Sequence, residues 1–336
     1  MTLSVTAPRR HATWIGHLFT LVGVAAASYA AAVGTGALKR LAEGLPLDGS
    51  LLSALPIDPA CYWFIPLVAV IFALEVLQLG WRASPLRGLL LGRSSSHRSD
   101  VFYLACDVFA LTPILMLALT VGLSAAIERW LEIPRAWRFA TDLPLWLAVP
   151  LFFLVSNFVV YWGHRFMHTP LMWPLHAVHH AAEEMTAATT FRHHPLDAFA
   201  GSLAPAIVAA FLAFPLDAVF VVEICSGIFT TILHTRLPVP AWFERNIVAG
   251  PRFHGIHHSA DTADYCSNLS LLPIYDRLFG TFRWHEKPLR FGAGDARFDT
   301  GRPVHDIGAV LAIWLGGLAK LIAASIAKRR RVGAPA

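Results

Sequence analysis

The chain has 336 residues, 56% of them hydrophobic and 15% charged, with a formal net charge of +5 and a mean hydropathy of +0.54. Soluble domains run at about 25% charged, so the composition excludes an ordinary soluble enzyme and points to one integral membrane domain. The basic residues flank apolar runs and do not form an arginine-rich face alternating with aromatics, which fits anionic lipid and excludes nucleic acid.

Crossing a bilayer takes about 20 apolar residues. In chain order, four runs meet that length, at about 14–38, 60–80, 108–127 and 143–163, the second carrying a lone Glu75. The first follows Arg9 and Arg10 and exceeds a usual signal-peptide core, so it reads as a retained span. A fifth apolar region, 198–233, is interrupted by Pro215, Asp217 and Glu223 and predicts a tight helical hairpin or a re-entrant pair. The sixth, 307–327, carries Lys320 and ends in Lys-Arg-Arg-Arg; it reads as an interfacial helix in preference to a span.

The expected architecture is therefore an all-α, polytopic integral membrane bundle. Its parts are an N-terminal transmembrane region (1–99), a catalytic region (100–285) and a C-terminal apolar helix with a basic tail (286–336). Arg82, Arg87, Arg93 and Arg98 place the 81–100 loop in the cytoplasm. The fourth run then delivers His164 to the same face, and the hairpin returns the chain there for His234. Arg129, Arg135 and Arg138 conflict with this orientation by falling outside.

Eleven of the sixteen histidines lie between 164 and 258. His164 and His168 form an H-x-x-x-H pair. His176, His179 and His180 form H-x-x-H-H, as do His254, His257 and His258. His193 and His194 stand in Phe-Arg-His-His-Pro-Leu-Asp, and His234 closes the hairpin. On a helix, residues i, i+3 and i+4 share one face, so each triplet converges three imidazoles on one side. Contiguous metal-scavenging tracts lack that spacing. His11, His17, His97, His285 and His305 stand alone and read as core or surface residues. Imidazole suits zinc, copper, iron or nickel. A structural zinc site needs four ligands, so eight to ten histidines suggest two ions.

The order of these motifs, with the words NFVVYWGHRFMH, HHSADTADYCSN and LPIYDRLFGTF, resembles the fatty acid hydroxylase / sterol desaturase superfamily of membrane di-iron enzymes over residues 100–285. The resemblance implies a cytoplasm-facing histidine cage holding two irons, for which zinc can substitute. It also implies O2-dependent hydroxylation or desaturation of a lipid. By position it makes ligands of His164, His168, His176, His179, His180, His254, His257 and His258, with His194 and His234 added from the Arg-x-His-Pro word and the isolated histidine. His193 fills the slot between and is the weaker candidate. Asn157, the Asn268-Leu269-Ser270 word and Tyr275-Asp276 depart from the family pattern and leave the particular lipid open.

Metal-bound imidazoles need a partner for the second ring nitrogen, and Glu183, Glu184, Asp261, Asp264 and Asn268 are the candidates. Asp276 and Arg277 read as a structural pair, and Trp162, Trp173, Trp242 and Trp284 as interface anchors. Cys61, Cys106, Cys225 and Cys266 are dispersed without a C-x-x-C, and no G-x-G-x-x-G opens a nucleotide-binding unit. Electrons are therefore expected from a separate ferredoxin- or cytochrome-type protein docking near Arg165, Arg252 and Arg283. The rival readings, a metal transporter or membrane metal-binding protein and a haem carrier, would place ligands along a mid-membrane path or as axial pairs inside facing spans.

Overall fold

The computed structural model describes residues 64–92, 94–108 and 139–332. Its helices are α1 (Phe64–Leu79), α2 (Pro85–Leu91), α3 (Ser95–Val108), α4 (Leu145–Met167), α5 (Trp173–His180), α6 (Pro195–Leu212), α7 (Leu216–Leu233), α8 (Ala241–Asn246), α9 (Pro251–His257), α10 (Pro273–Leu278) and α11 (Pro303–Val332). Short 3-10 turns lie between some of them, and no named strand occurs among the described residues. The runs expected at 14–38 and, Val108 apart, at 108–127 lie outside the described residues.

Prolines set where these helices begin. Pro85, Pro174, Pro195, Pro251 and Pro273 stand at the first or second helical position, where the missing N–H has no partner to lose and the fixed φ is already helical. Pro144, Pro215 and Pro240 occupy the N-cap positions of α4, α7 and α8.

Among the described residues, α4, α6 and the 303–327 part of α11 are long and apolar enough to cross a membrane. They leave large apolar side chains uncovered, including Trp146, Leu154 and Phe166 on α4 and Leu315, Leu321, Ile322 and Ile326 on α11. Such a surface on a helix of that length suits lipid. The last helix, read from sequence as interfacial, thus meets the length of a span.

The bundle is assembled by α4 packing on α6 and α7, with Ala148 and Phe152 against Val208, Phe214, Ala218 and Val222. Helix α1 lies on α7 through Leu67, Ile71 and Leu74 against Ile228 and Ile232. The first turns of α11 return to α3 and α5, where Val310 packs with Tyr103, Leu175 and Val178. The 81–100 segment is not the polar loop the sequence suggested. It folds into α2 and the start of α3, burying Ser96, His97, Ser99 and Asp100.

Residues 198–233, expected as a tight hairpin or a re-entrant pair, form α6 and α7, joined through Ala213, Phe214 and Pro215 and each packed on α4. Ala213 caps α6 in the left-handed conformation, φ 55°, and its amide bonds Ala209 O. A Cβ is strained there, whereas glycine is not. Ala213→Gly should stabilise the fold by about 1 kcal/mol, seen as a raised unfolding midpoint in detergent.

Candidate metal centre

Four helices end at one place. His164 is in the last turn of α4 and His168 caps it; His176, His179 and His180 fill the end of α5; His234 caps α7; His254 and His257 end α9 and His258 caps it. Each C-terminus carries unpaired carbonyls and the negative end of the helix dipole. Four such ends turned inward favour a cation. The seven-residue α9 is held at its start by buried Glu244, whose Oε2 accepts from Arg252 N (2.8 Å) and Phe253 N (2.9 Å). Gly250 permits this approach, since a Cβ there would lie 2.4 Å from Glu244 Cγ.

The histidines gather into two adjacent groups. His164, His168, His176, His180 and His257 form one, His179, His234, His254 and His258 the other, with the candidate ligand atoms of each within 4.8 Å of one another. The H-x-x-H-H triplets are thus split between groups: His176 and His180 face one, His179 the other; His257 faces the first, His254 and His258 the second.

Outward hydrogen bonds set the protons on these rings. His164 Nδ1 lies 2.7 Å from Leu269 O, His179 Nδ1 3.1 Å from Arg192 O, His234 Nδ1 2.8 Å from Thr230 O and His257 Nδ1 2.7 Å from Ser267 O. A carbonyl only accepts, so each of these nitrogens carries the hydrogen and each Nε2 in a neutral ring is bare. His176 Nδ1 lies 3.1 Å from both Asp197 carboxylate oxygens, with the same result.

The bare nitrogens then meet one another. His164 Nε2 is 3.0 Å from His176 Nε2, and His179 Nε2 is 3.2 Å from His234 Nε2. No proton is available to bridge either pair. His254 Nε2 approaches His234 Nε2 at 3.1 Å and His258 Nε2 at 3.0 Å. His257 Nε2, His180 Nε2 and both nitrogens of His168 are buried without a partner. Two ligands at right angles, each about 2.1 Å from one ion, sit about 3.0 Å apart. The donor set fits bound metal, and nothing in the protein alone satisfies these lone pairs.

His194 does not join either group. It is the N-cap of α6, where Nδ1 accepts from Leu196 N (3.2 Å) and Nε2 donates to Ile307 O (3.2 Å), so both ring nitrogens are engaged elsewhere. The structure therefore does not bring it together with the other nine histidines expected as ligands. His193 and Asp197 form a further cluster with His176.

The outer partners also differ from those expected. Glu183 is exposed; Glu184 lies 3.5 Å from His97 Nε2; Asp261 caps a 3-10 turn through Ala263 N; and buried Asp264 accepts from His285 Nε2. Asn268 binds Phe253 O and Arg283 O, bracing the chain without touching a ligand ring. Main-chain carbonyls and Asp197 do the work assigned to these residues. Asp197 was visible in the His-His-Pro-Leu-Asp word, four residues after His193. Asp276 is structural as expected, but it accepts from Leu269 N, Ser270 N and Thr281 Oγ1, while Arg277 bonds Arg245 O. It thereby holds the segment whose Leu269 carbonyl orients His164.

Arg192, missed in the sequence, is 1% exposed and donates to Val178 O, Ser96 O, Asp100 and Asp299. Its own carbonyl receives His179 Nδ1–H, so one residue ties α3, α5 and the segment before α11 to a cage ring.

A cavity of about 300 Å³ opens onto the first group, lined by His168, His180 and His257 together with Trp173, Tyr265, Ala260 and Ala293. None of the four histidines of the second group reaches it. Trp173, expected as an interface anchor, is part of this wall, its ring 5.3 Å from His168 and 5.2 Å from His180.

Burial and neighbouring histidines hold His168, His179, His180, His254, His257 and His258 well below 6.5, and burial brings His234 down to about 3. In the unfolded chain these rings regain their ordinary value. Below pH 6.5 the unfolded state therefore binds more protons, and the metal-free fold weakens as pH falls, by about 1.4 kcal/mol per such histidine per pH unit as an upper bound. Unfolding of chelator-treated protein between pH 8 and 5 should show this, and metal should protect. His179→Ala and His257→Ala should each lose bound metal, whereas exposed His305→Ala should keep the full complement by elemental analysis.

Residues 149–281 match the fatty acid hydroxylase family. A Delta(7)-sterol 5(6)-desaturase of Gibberella zeae is 31% identical over 140 residues, 41% of this chain and 38% of that protein. An ornithine lipid hydroxylase of Rhizobium tropici is 27% identical over 43% of this chain and 44% of its own length, and human alkylglycerol monooxygenase 27% over 52% and 38%. The match thus spans less than half the length of each. No solved structure matches the chain. The matched segment contains all nine gathered histidines, and the relatives are enzymes that oxidise lipids. Over residues 149–281 the chain is thus similar to the fatty acid hydroxylase family and to sterol-desaturase and lipid-hydroxylase relatives.

Proposed function

We propose that this protein is a membrane oxygenase that binds one iron ion in each histidine group and hydroxylates or desaturates a lipid with O2. The observation that carries the reading is the pair of adjacent groups with bare, inward nitrogens, one of them open to a largely apolar cavity. Bound iron supplies the reduction of dioxygen and the oxidation of an unactivated C–H bond. The chain contributes position and exclusion. Leu269, Ser267, Arg192 and Thr230 carbonyls and Asp197 fix the ring planes. Trp173 and Tyr265 wall the cavity, with Tyr265 OH donating to His168 O and so locking the wall to a ligand's backbone.

The arginine content of 81–100 supports a cytoplasmic cage. Oxidising one C–H bond while reducing dioxygen fully to water and product takes two further electrons, which we assign to a separate redox protein. Of the arginines expected to receive it, Arg165 is engaged with Tyr161 OH and Phe279 O, and Arg252 with the His285 and Lys287 carbonyls. Arg283 is exposed and is the better docking candidate. A transporter would carry ligands along a path through the membrane; here they sit at helix C-termini beside a cavity.

Iron-loaded full-length chain in detergent, given lipid, 18O2 and a ferredoxin–reductase pair with NADPH, should convert lipid to an 18O-labelled alcohol or an alkene over many turnovers. Sustained turnover on NADPH alone would refute the separate donor. Ala260→Trp at the cavity rim should cut turnover about 10-fold or more while leaving metal content unchanged.

A further inference from the structure

His193 is not gathered into either of the two large groups, yet it touches both. Its Nδ1 lies 2.8 Å from Asp197 Oδ2, and the same carboxylate receives His176 Nδ1–H at 3.1 Å. Its ring also stacks on His179, centroids 4.3 Å apart and planes 12° from parallel. Asp197 is nearly sealed, 5% exposed, while His193 is 29% exposed. Asp197 has no arginine or lysine partner among the described ion pairs, so the two imidazoles share its charge.

A carboxylate behind a metal-bound imidazole raises that ligand's basicity, and each extra donor to the carboxylate draws the effect down. We propose that His193 is a positioning residue that sets the electron-donating strength of His176 through Asp197. The proposal rests on the metal-centre reading above. With His193 in place, Asp197 divides its hydrogen-bond acceptance between two N–H groups. Without it, the carboxylate turns wholly to His176, whose ring becomes more imidazolate-like and a stronger donor. The more oxidised state of the nearby metal is then favoured, and its midpoint potential falls. The stack on His179 is a second, separable contact that fixes a ring of the other group.

Two substitutions separate the contacts. His193→Phe keeps an aromatic face for His179 and removes the N–H to Asp197. His193→Gln restores an N–H donor without the ring. Iron content and midpoint potential are measured on the iron-loaded full chain in detergent. The expected result is wild-type iron content in both variants, a more negative potential for His193→Phe, and return toward the wild-type potential for His193→Gln. An unchanged or more positive potential in His193→Phe at full iron content would overturn the proposal. Loss of iron from both variants would overturn it too, since His193 would then hold an ion and not a carboxylate. Wild-type chain that binds no iron would instead refute the metal-centre reading, a result the iron count distinguishes from the potential.

Discussion

Everything in this structure turns on imidazole rings that give their only proton outward. Once Nδ1–H is committed to Leu269, Arg192, Thr230 or Ser267 carbonyls, or to Asp197, the opposite nitrogen faces the cage with a lone pair and no donor. Buried acceptors at 3.0–3.2 Å from one another repel unless a cation lies among them. Protonation would not relieve the His179–His234 pair, because burial penalises an imidazolium at either ring and neighbouring histidines would repel it. A metal bound there would thus be part of the folded state's energetics, and the surrounding helices form a frame that holds nine rings against their mutual repulsion.

That frame is built from short-range devices and one long-range clamp. Prolines start the helices, so that α5 and α9 are only eight and seven residues long and end where their histidines are needed. Glu244 holds the start of α9, and Asp276 the loop that orients His164. The clamp is Arg192. Buried with Asp100 and Asp299 against its guanidinium, it joins segments about 100 residues apart on either side to the carbonyl that orients His179. Breaking one partner of such a buried set leaves an uncompensated charge. The histidine cage therefore depends on α3 and on the approach to α11, beyond the 149–281 family match.

The helical class, the two helices over 198–233 and the gathering of nine of the ten singled-out histidines were legible because their signals are local. Apolar run length announces spans, and i, i+3, i+4 spacing announces a shared helical face. Legibility failed where the answer depends on distant chain. His194 sits in a histidine-rich word, but a cap amide and the Ile307 carbonyl, more than 100 residues on, occupy its nitrogens. The outer partners of the ligand rings were misassigned to nearby acids because backbone carbonyls carry no sequence signature. Only Asp197 had one, in its spacing from His193. The 81–100 segment looked like a linker because its serines and Asp100 are polar; their burial follows from Arg192 and from Thr186 and Thr189, which lie about 90 residues away.

If the two histidine groups are two metal sites, each holds its own ion. Anomalous scattering recorded across the iron edge from crystals of the iron-loaded chain tests it most directly. The account predicts two peaks, one among His164, His168, His176, His180 and His257 and the other among His179, His234, His254 and His258. A single peak shared by both groups, or metal bound only outside them, would contradict it.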